Sequence, residues 1–119
     1  TRYHFLDRLS RHAIDIAQPD VGRTGITEAR RIAALCLAHD VPVTYHIGAG
    51  LGVYTAASLH VAAATAVLEV LEYQPSQMNA AAPYYHPSLA PTAGAYALPP
   101  GPGHGITPDL DRLRELALT

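Results

Sequence analysis

Three side chains that could carry acid–base chemistry are evenly spaced along this chain of 119 residues. Asp20, His46 and Glu72 lie 26 residues apart, and each stands at the end of a short apolar run. A histidine exchanges protons near neutral pH, and a carboxylate beside it can orient the ring and raise the basicity of its other nitrogen. A second acid could hydrogen-bond a polar substrate. The set therefore indicates general acid–base catalysis.

The spacing of these residues also predicts the elements that position them. An interval of 26 residues is about one strand-plus-helix unit of an α/β barrel. Short apolar runs at 13–18, 41–47 and 67–73 predict strands. Helical periodicity at 26–39 and an alanine-rich run without a breaker at 54–64 predict helices between them. Strands separated by helices pair in parallel, so their carboxyl ends share one rim. We therefore predict an α/β fold with the three side chains close together.

The length of the chain limits the architecture. A closed eight-stranded barrel needs roughly 250 residues, and this sequence opens in the middle of an amphipathic pattern, so we expect the C-terminal part of a larger domain. Residues 1–73 are expected to hold the last strands and helices of the barrel. Residues 74–119 are expected to form an irregular segment and a helix that pack on it, with Thr107 as N-cap and Pro108 at the first helical position.

Composition excludes several classes of partner. All eight basic residues are arginines, they are scattered, and the net charge is −2, so no nucleic-acid footprint is present. The uncharged stretch 41–68 contains histidines, glycines and hydroxyls and is no membrane span. The remaining histidines lack the spacing of a zinc motif, so no metal site is predicted within the chain. A lone Cys36 excludes an internal disulfide and fits the cytoplasm, the expected location.

Each candidate residue also has a structural interpretation, and a different function is possible. Asp20 could cap the next turn, His46 could be a polar rim residue, and Glu72 could be a solvated strand-end carboxylate. The glycine-rich loop Gly48–Gly52 could instead hold a pyrophosphate, as in a dinucleotide-binding domain, although that fingerprint requires a glycine where this chain has Val53. A third possibility is a non-catalytic barrel fragment.

Several motifs, taken in order, resemble the mandelate racemase subgroup of the enolase superfamily, in the C-terminal part of its barrel domain. They are QPDVGRTGITEARRIAALCLAHDVPVTYHIG, SLHVAAAT, VLEVLEY and the late PGHG, and the resemblance extends from about Ala13 to Leu116. The chain departs from the usual pattern at Thr24-Gly25, where two glycines are usual, and at His104, where a leucine is common. The resemblance implies the C-terminal portion of a TIM-type (β/α)7β barrel, with three parallel βα units plus a C-terminal loop and helix.

The resemblance also implies roles for the three residues. Asp20 and His46 would form a catalytic dyad at the ends of the sixth and seventh strands, and His46 would move a proton to or from the substrate. Glu72, at the end of the eighth strand, would be a third catalytic residue that hydrogen-bonds the substrate carboxylate. The resemblance implies Mg²⁺ as the cofactor that stabilises the enediolate, with its carboxylate ligands on earlier strands outside these 119 residues.

The expected activity is abstraction of the proton next to the carboxylate of a small acid or sugar acid. A sugar-acid dehydratase is favoured over a racemase because dehydratases are widespread in the subgroup. Without a metal, little stabilises the second negative charge that this step creates, so we expect the chain alone to be inactive. The full-length protein is expected to be a homo-oligomer.

Overall fold

The computed structural model describes residues 1–48, 50 and 52–117. The helices are α1 (Arg2–Ser10), α2 (Val21–Thr24), α3 (Ile26–Ala38), α4 (Val53–Ala63), α5 (Pro75–Ala81) and α6 (Leu110–Ala117). The strands are β1 (Val43–Tyr45), β2 (Leu68–Leu71), β3 (Tyr85–His86) and β4 (Thr107–Pro108), and a 3₁₀ turn spans Ala82–Tyr84. The predicted helices and the second and third predicted strands are therefore present, with the strands shorter than expected.

The centre of the fold is a parallel pair of strands joined by a helix. β1 and β2 pair in parallel, with Val43 opposite Leu68 and Tyr45 opposite Leu71, and α4 forms the connection between them. A parallel pair needs such a crossover because the chain must return to the same end of the sheet. The βαβ unit predicted from the sequence is confirmed, and it places the carboxyl ends of both strands on one side.

The predicted first strand, 13–18, is largely wrong. Within this segment only Ala17 makes an isolated parallel bridge, to Val43 of β1, and Asp20, two residues beyond it, makes another to His46. The backbone N–H of His46 donates to the carbonyl of Pro19 at 3.1 Å. Because Pro19 has no backbone N–H, it cannot donate a hydrogen bond to β1, and the ladder of hydrogen bonds is interrupted between the two bridges. The bridges still align the end of this segment with the end of β1.

Helices α3 and α4 cover one face of the strands. α3 turns a stripe of small and apolar residues inward, namely Ala29, Ile32, Ala33 and Cys36. They meet Val43 and Tyr45 of β1 in the larger of two apolar clusters. Burial of a side chain the size of Ile32 contributes about 1.5–3 kcal/mol. β1 alternates strictly, with Val43 and Tyr45 buried and Thr44 half-buried on the opposite face.

The C-terminal segment is more ordered than the sequence analysis predicts. It contains α5, and β3 pairs antiparallel with β4. Thr107 and Pro108 lie in β4 and do not start the last helix, which begins at Leu110. Asp109 precedes this helix, and its Oδ1 accepts a hydrogen bond from the N–H of Arg112 at 3.1 Å. A second apolar cluster joins this segment to α4, and it consists of Ala56, Leu59, Met78, Ala81, Tyr85, Leu89 and Ile106. Leu118 and Thr119, the end of the predicted helix, lie outside the described residues.

None of the helices in the described ranges is both long and apolar enough to cross a lipid bilayer.

Candidate active site

Asp20 and His46 meet at the rim formed by the strand ends. Asp20 directly precedes α2, and His46 directly follows β1. A parallel bridge aligns the two residues, and His46 Nδ1 lies 2.9 Å from Asp20 Oδ2. The Asp20 side chain is 14% exposed and the His46 side chain is 40% exposed. The two residues that the sequence spacing predicts to lie close together are therefore in contact, with a shielded carboxylate bound to a partly exposed imidazole.

Asp20 is held at both carboxylate oxygens. Its Oδ1 accepts a hydrogen bond from the N–H of Arg23 at 3.1 Å and lies 2.9 Å from the hydroxyl of Tyr54. Burial acts to raise the pKa of Asp20, but hydrogen bonds from Tyr54, from His46 and from backbone N–H groups outweigh it and hold the pKa below its usual value. Asp20 is therefore ionised at neutral pH. It both caps α2 and holds His46, so the structural and the functional interpretations coexist.

The ionised carboxylate fixes the protonation pattern of the ring. A carboxylate only accepts hydrogen bonds, so Nδ1 of His46 carries the proton in the neutral ring and Nε2 is left with its lone pair. Among the described residues, Nε2 has no hydrogen-bond partner. The ring borders an open cavity of about 670 Å³ that is lined by Asp20, Gly22, Arg23, His46, Gly48, Tyr54, Gln74 and Gln77. Nε2 of His46 can therefore accept a proton or a hydrogen bond from a molecule in this cavity.

Glu72 lies at the same rim, but the structure does not bring it into contact with the dyad. Its Oε2 accepts from the backbone N–H of Ile47 at 2.7 Å, and its Oε1 accepts from the side-chain amide of Gln74 at 3.0 Å. The Glu72 side chain is half-buried, and it does not line the cavity beside His46. In this arrangement Glu72 ties the end of β2 to the end of β1.

Three polar residues of the cavity were not predicted from the sequence as site residues. Tyr54 lies in the first turn of α4, and its hydroxyl contacts Asp20. Gln74 and Gln77 enter through the C-terminal segment, and Oε1 of Gln77 is buried and has no hydrogen-bond partner in the described part of the chain. The only sequence signal for Tyr54 is an aromatic hydroxyl between a glycine-rich loop and a run of alanines.

The glycine-rich loop packs against aromatic rings, which disfavours the dinucleotide alternative. Ala49 and Leu51 of this loop lie outside the described residues. A Cβ at Gly50 would lie 2.6 Å from Cβ of Tyr54, and a Cβ at Gly52 would overlap the ring of Tyr85. Glycine is required at these positions because two tyrosines approach the backbone closely. The loop is thus occupied by the protein's own side chains.

The described residues do not form a metal centre. No group of three or more His, Cys, Asp or Glu side chains in the part of the chain that the structure describes is placed to hold a metal ion. Asp20 already receives three hydrogen bonds, and both oxygens of Glu72 are engaged by N–H groups. The donor set of the site therefore fits proton transfer and does not fit metal coordination.

Fold and site together define an α/β barrel-type domain with an Asp–His pair at the strand ends. Residues 1–112 match the family described as "Enolase C-terminal domain-like". The chain belongs to this family, and the resemblance to the enolase superfamily drawn from the motifs is confirmed. The mixed order of helices and strands fits such a barrel-type domain.

Two curated relatives are cycloisomerases. The D-galactarolactone cycloisomerase of Agrobacterium fabrum is 31% identical over 126 aligned positions, which cover 98% of this chain and 33% of the relative. The 3,6-anhydro-alpha-L-galactonate cycloisomerase of Streptomyces coelicolor is 29% identical over 119 positions, which cover 99% of this chain and 30% of the relative. The chain thus spans about a third of the length of these relatives.

A solved structure shows the same fold. A member of the enolase superfamily from Agrobacterium tumefaciens superposes with a TM-score of 0.89 at 33% identity, over 96% of this chain and 29% of that chain. The curated relatives are named as enzymes, and the solved structure is named as a member of the enolase superfamily, so the chain is similar to enzymes rather than to nucleotide-binding domains.

Proposed function

We propose that this chain supplies the acid–base half of an active site that removes a proton from the carbon next to a carboxylate. The observation that carries the proposal is the 2.9 Å contact between His46 Nδ1 and Asp20 Oδ2 at the edge of an open cavity. With Nδ1 protonated and bound to Asp20, Nε2 of His46 accepts the substrate proton. The resulting imidazolium is stabilised by the adjacent carboxylate, and the ring can return the proton later.

The substrate class that we propose is a sugar acid or one of its cyclic derivatives. The cavity presents the side chains of Gln74, Gln77 and Arg23 beside the dyad. Amides bind hydroxyl groups as donors and as acceptors, and a guanidinium binds a carboxylate. The names of the two cycloisomerase relatives, which mention a galactarolactone and an anhydrogalactonate, support the same class.

For the reaction type, we retain the sugar-acid dehydratase and the racemase and add the cycloisomerase. All three begin with the same proton abstraction by His46. A dehydratase then loses the β-oxygen as water, a cycloisomerase keeps that oxygen in the same molecule as a ring is opened, and a racemase returns the proton to the other face. The relatives' names support the cycloisomerase.

Glu72 keeps a proposed role as the residue that hydrogen-bonds the substrate carboxylate. Its Oε1 is bound by the amide of Gln74, whereas its Oε2 is bound by the backbone of Ile47. A side-chain amide can turn away, and a backbone N–H cannot, so Oε1 is the atom that would meet the substrate. Two carboxyl groups share a hydrogen bond only when one of them carries a proton, so in this proposal substrate binding brings one proton to the pair and replaces the bond from Gln74 with one between Oε1 and the substrate.

The Mg²⁺ cofactor implied by the resemblance remains a proposal for residues outside this chain. Such an ion, held by residues outside this chain, would supply positive charge beside the substrate carboxylate. The contribution of the described residues is orientation of the ring and movement of one proton. For the whole protein, a cytoplasmic location and a homo-oligomer also remain proposals.

The proposal is tested by substituting His46→Asn in the longest polypeptide that carries these residues. We expect this variant to lose α-carbon deuterium exchange in D₂O by at least about a hundredfold, because general-base catalysis contributes roughly 10²–10⁴-fold. D-Galactarolactone and 3,6-anhydro-L-galactonate serve as the probes, and the exchange is followed by NMR. The exposed His4, on α1, gives the matched control His4→Asn, which should exchange like the parent.

Two outcomes would contradict the proposal. Unchanged exchange in the His46→Asn variant would remove His46 from the mechanism. Robust turnover by the isolated 119 residues with added Mg²⁺ would show that no further polypeptide is needed.

A further inference from the structure

We propose that Tyr54 is a positioning residue for the Asp20–His46 dyad, an assignment that rests on the proposed function of His46. The hydroxyl of Tyr54 lies at the centre of a small hydrogen-bond network. It accepts from the N–H of Gly48 at 2.8 Å, and it lies 2.9 Å both from Oδ1 of Asp20 and from the carbonyl oxygen of His46. One hydroxyl thus contacts the carboxylate of one dyad member and the backbone of the other.

The ring of Tyr54 is held in a narrow slot between two glycines. A Cβ at Gly22 would lie 2.7 Å from Cε2 of the ring, and a Cβ at Gly50 would lie 2.7 Å from Cδ1. Neither neighbour leaves room for a side chain, so the ring has little freedom to move. Because the ring is fixed, the position of its hydroxyl is fixed relative to Asp20.

The hydroxyl proton points to Asp20. A hydroxyl has one proton, and an ionised carboxylate accepts more strongly than a neutral carbonyl at the same distance. The bond that the hydroxyl accepts from Gly48 polarises it and strengthens the bond that it donates. Burial, together with the neighbouring Asp20 carboxylate, raises the pKa of Tyr54 to about 12, so the proton stays on the tyrosine at neutral pH.

This contact determines which oxygen of Asp20 serves the histidine. Tyr54 and the N–H of Arg23 bind Oδ1, and His46 binds Oδ2. A carboxylate held at Oδ1 cannot rotate without breaking these bonds, so Oδ2 stays in line with Nδ1. The tautomer with the proton on Nδ1 is thereby maintained, and Nε2 keeps the lone pair that faces the substrate. Tyr54 acts through Asp20 and need not touch the reacting atoms.

Tyr45 provides a matched comparison within the same chain. Its ring is fully buried, and its hydroxyl lies 2.9 Å from the hydroxyl of Thr65, just beyond the C-terminal end of α4. Loss of the Tyr45 hydroxyl removes one hydrogen bond, to Thr65, whereas loss of the Tyr54 hydroxyl removes the bond accepted from Gly48 and the bond donated to Asp20. Only the Tyr54 hydroxyl reaches an ionised partner in the dyad, so a purely structural effect can be separated from a positioning effect.

The test compares Tyr54→Phe with Tyr45→Phe. The side-chain carboxyl of Asp20 is titrated by ¹³C NMR, and the His46 tautomer is read from ¹H–¹⁵N correlations of the ring. In Tyr54→Phe we expect the pKa of Asp20 to rise, because a bond that lowers it is lost, and the population protonated at Nδ1 to fall. In the polypeptide used above, kcat for exchange should fall about tenfold with KM within about twofold, since orientation affects the barrier. Tyr45→Phe should change none of these values.

Different results would overturn this proposal and the proposed function. If Tyr54→Phe folds and leaves the Asp20 titration, the tautomer and kcat unchanged, Tyr54 is not a positioning residue. If His46→Asn still exchanges, the function of His46 fails whatever Tyr54 does. If Tyr54→Phe does not fold, 3-fluorotyrosine at position 54 preserves the shape with a more acidic hydroxyl. It should then lower the pKa of Asp20, and an unchanged titration would contradict the proposal.

Discussion

At the scale of single residues, Asp20 joins local structure to chemistry. Oδ1 accepts the N–H of Arg23 and so caps the short helix α2, while Oδ2 receives the ring of His46. The ion pair with the Arg23 guanidinium is long, at 3.6 Å, and that side chain is 86% exposed, so it contributes little. The stability and the orientation at this position therefore come from hydrogen bonds to a shielded carboxylate.

The stability of the fold should depend on the ionisation of Asp20. Its pKa is lower in the folded chain than in the unfolded one, so its contribution is complete above the ordinary value of 3.8 and is lost as the pH falls through the folded pKa. Asp20→Asn should lower the free energy of unfolding by about 1–3 kcal/mol at pH 7. It should also reduce the loss of stability on acidification. Urea unfolding at pH 7 and at pH 3 measures both effects.

Asp7 supplies the control for this prediction. Its side chain is 54% exposed and pairs with Arg11 on the surface of α1. Asp7→Asn should change the free energy of unfolding by less than about 1 kcal/mol, because exposed pairs contribute little. Equal effects of the two substitutions would mean that the Asp20 network does not stabilise the fold.

The sequence was sufficient to predict the dyad and insufficient to predict its support. Asp20 and His46 follow two parallel segments, so strand-end alignment alone brings them together. Tyr54 reaches Asp20 across 34 residues of sequence, and its position depends on two glycines that leave room for a ring. Such a fit arises from tertiary packing and leaves no periodic pattern in the sequence.

At the scale of elements, α2 and α4 are joined by the ring of Tyr54. Gly22 lies inside α2, where an alanine would ordinarily stabilise the helix by about 1 kcal/mol. Here the added Cβ would lie 2.7 Å from Cε2 and 2.9 Å from Cδ2 of the ring. We therefore expect Gly22→Ala to destabilise the fold by about 1–3 kcal/mol, as overpacking does. Thermal or urea unfolding measures the change.

The control for Gly22→Ala is the same substitution in a Tyr54→Ala background. Once the ring is absent, the helical preference of alanine is no longer opposed, and Gly22→Ala should become neutral or stabilising. A double-mutant cycle isolates this coupling from the cost of losing the tyrosine itself. A penalty that persists without the ring would show that the packing between α2 and α4 does not depend on it.

The elements themselves were predictable to different degrees. The β1–α4–β2 unit combines two runs of β-branched and apolar residues with an unbroken alanine-rich segment, and both strands and the helix are found within a few residues of the predicted bounds. The prediction of a strand at 13–18 is largely wrong because Pro19 interrupts the hydrogen bonds to β1, and the pairing with β1 is not visible in the local sequence. Helix α5 was missed because its sequence, PSQMNAA, is short and buries only Met78 and Ala81.

At the scale of the whole molecule, one face of the parallel strands remains uncovered. Helices bury Val43 and Tyr45 on one side, while Val70 of β2 is 58% exposed and Ile16 is 55% exposed. Parallel sheets in proteins are normally covered on both faces. The curated relatives are about three times as long as this chain. We expect this face to become the interior of a barrel when further strands are present.

This expectation is tested by placing a charge on the uncovered face. Val70→Glu should be tolerated in the 119-residue chain, because the side chain is solvated there, with a change in unfolding free energy below about 1 kcal/mol. In the longest polypeptide that carries these residues, the same substitution should cost about 3 kcal/mol or more, since it would bury an unpaired charge. The neighbouring Glu69 is exposed on the strand, and Glu69→Gln should be tolerated in both. Urea unfolding of the parent, Val70→Glu and Glu69→Gln, each in both lengths, measures these changes. An equally small effect of Val70→Glu in both lengths would mean that the face stays exposed, which contradicts closure into a barrel.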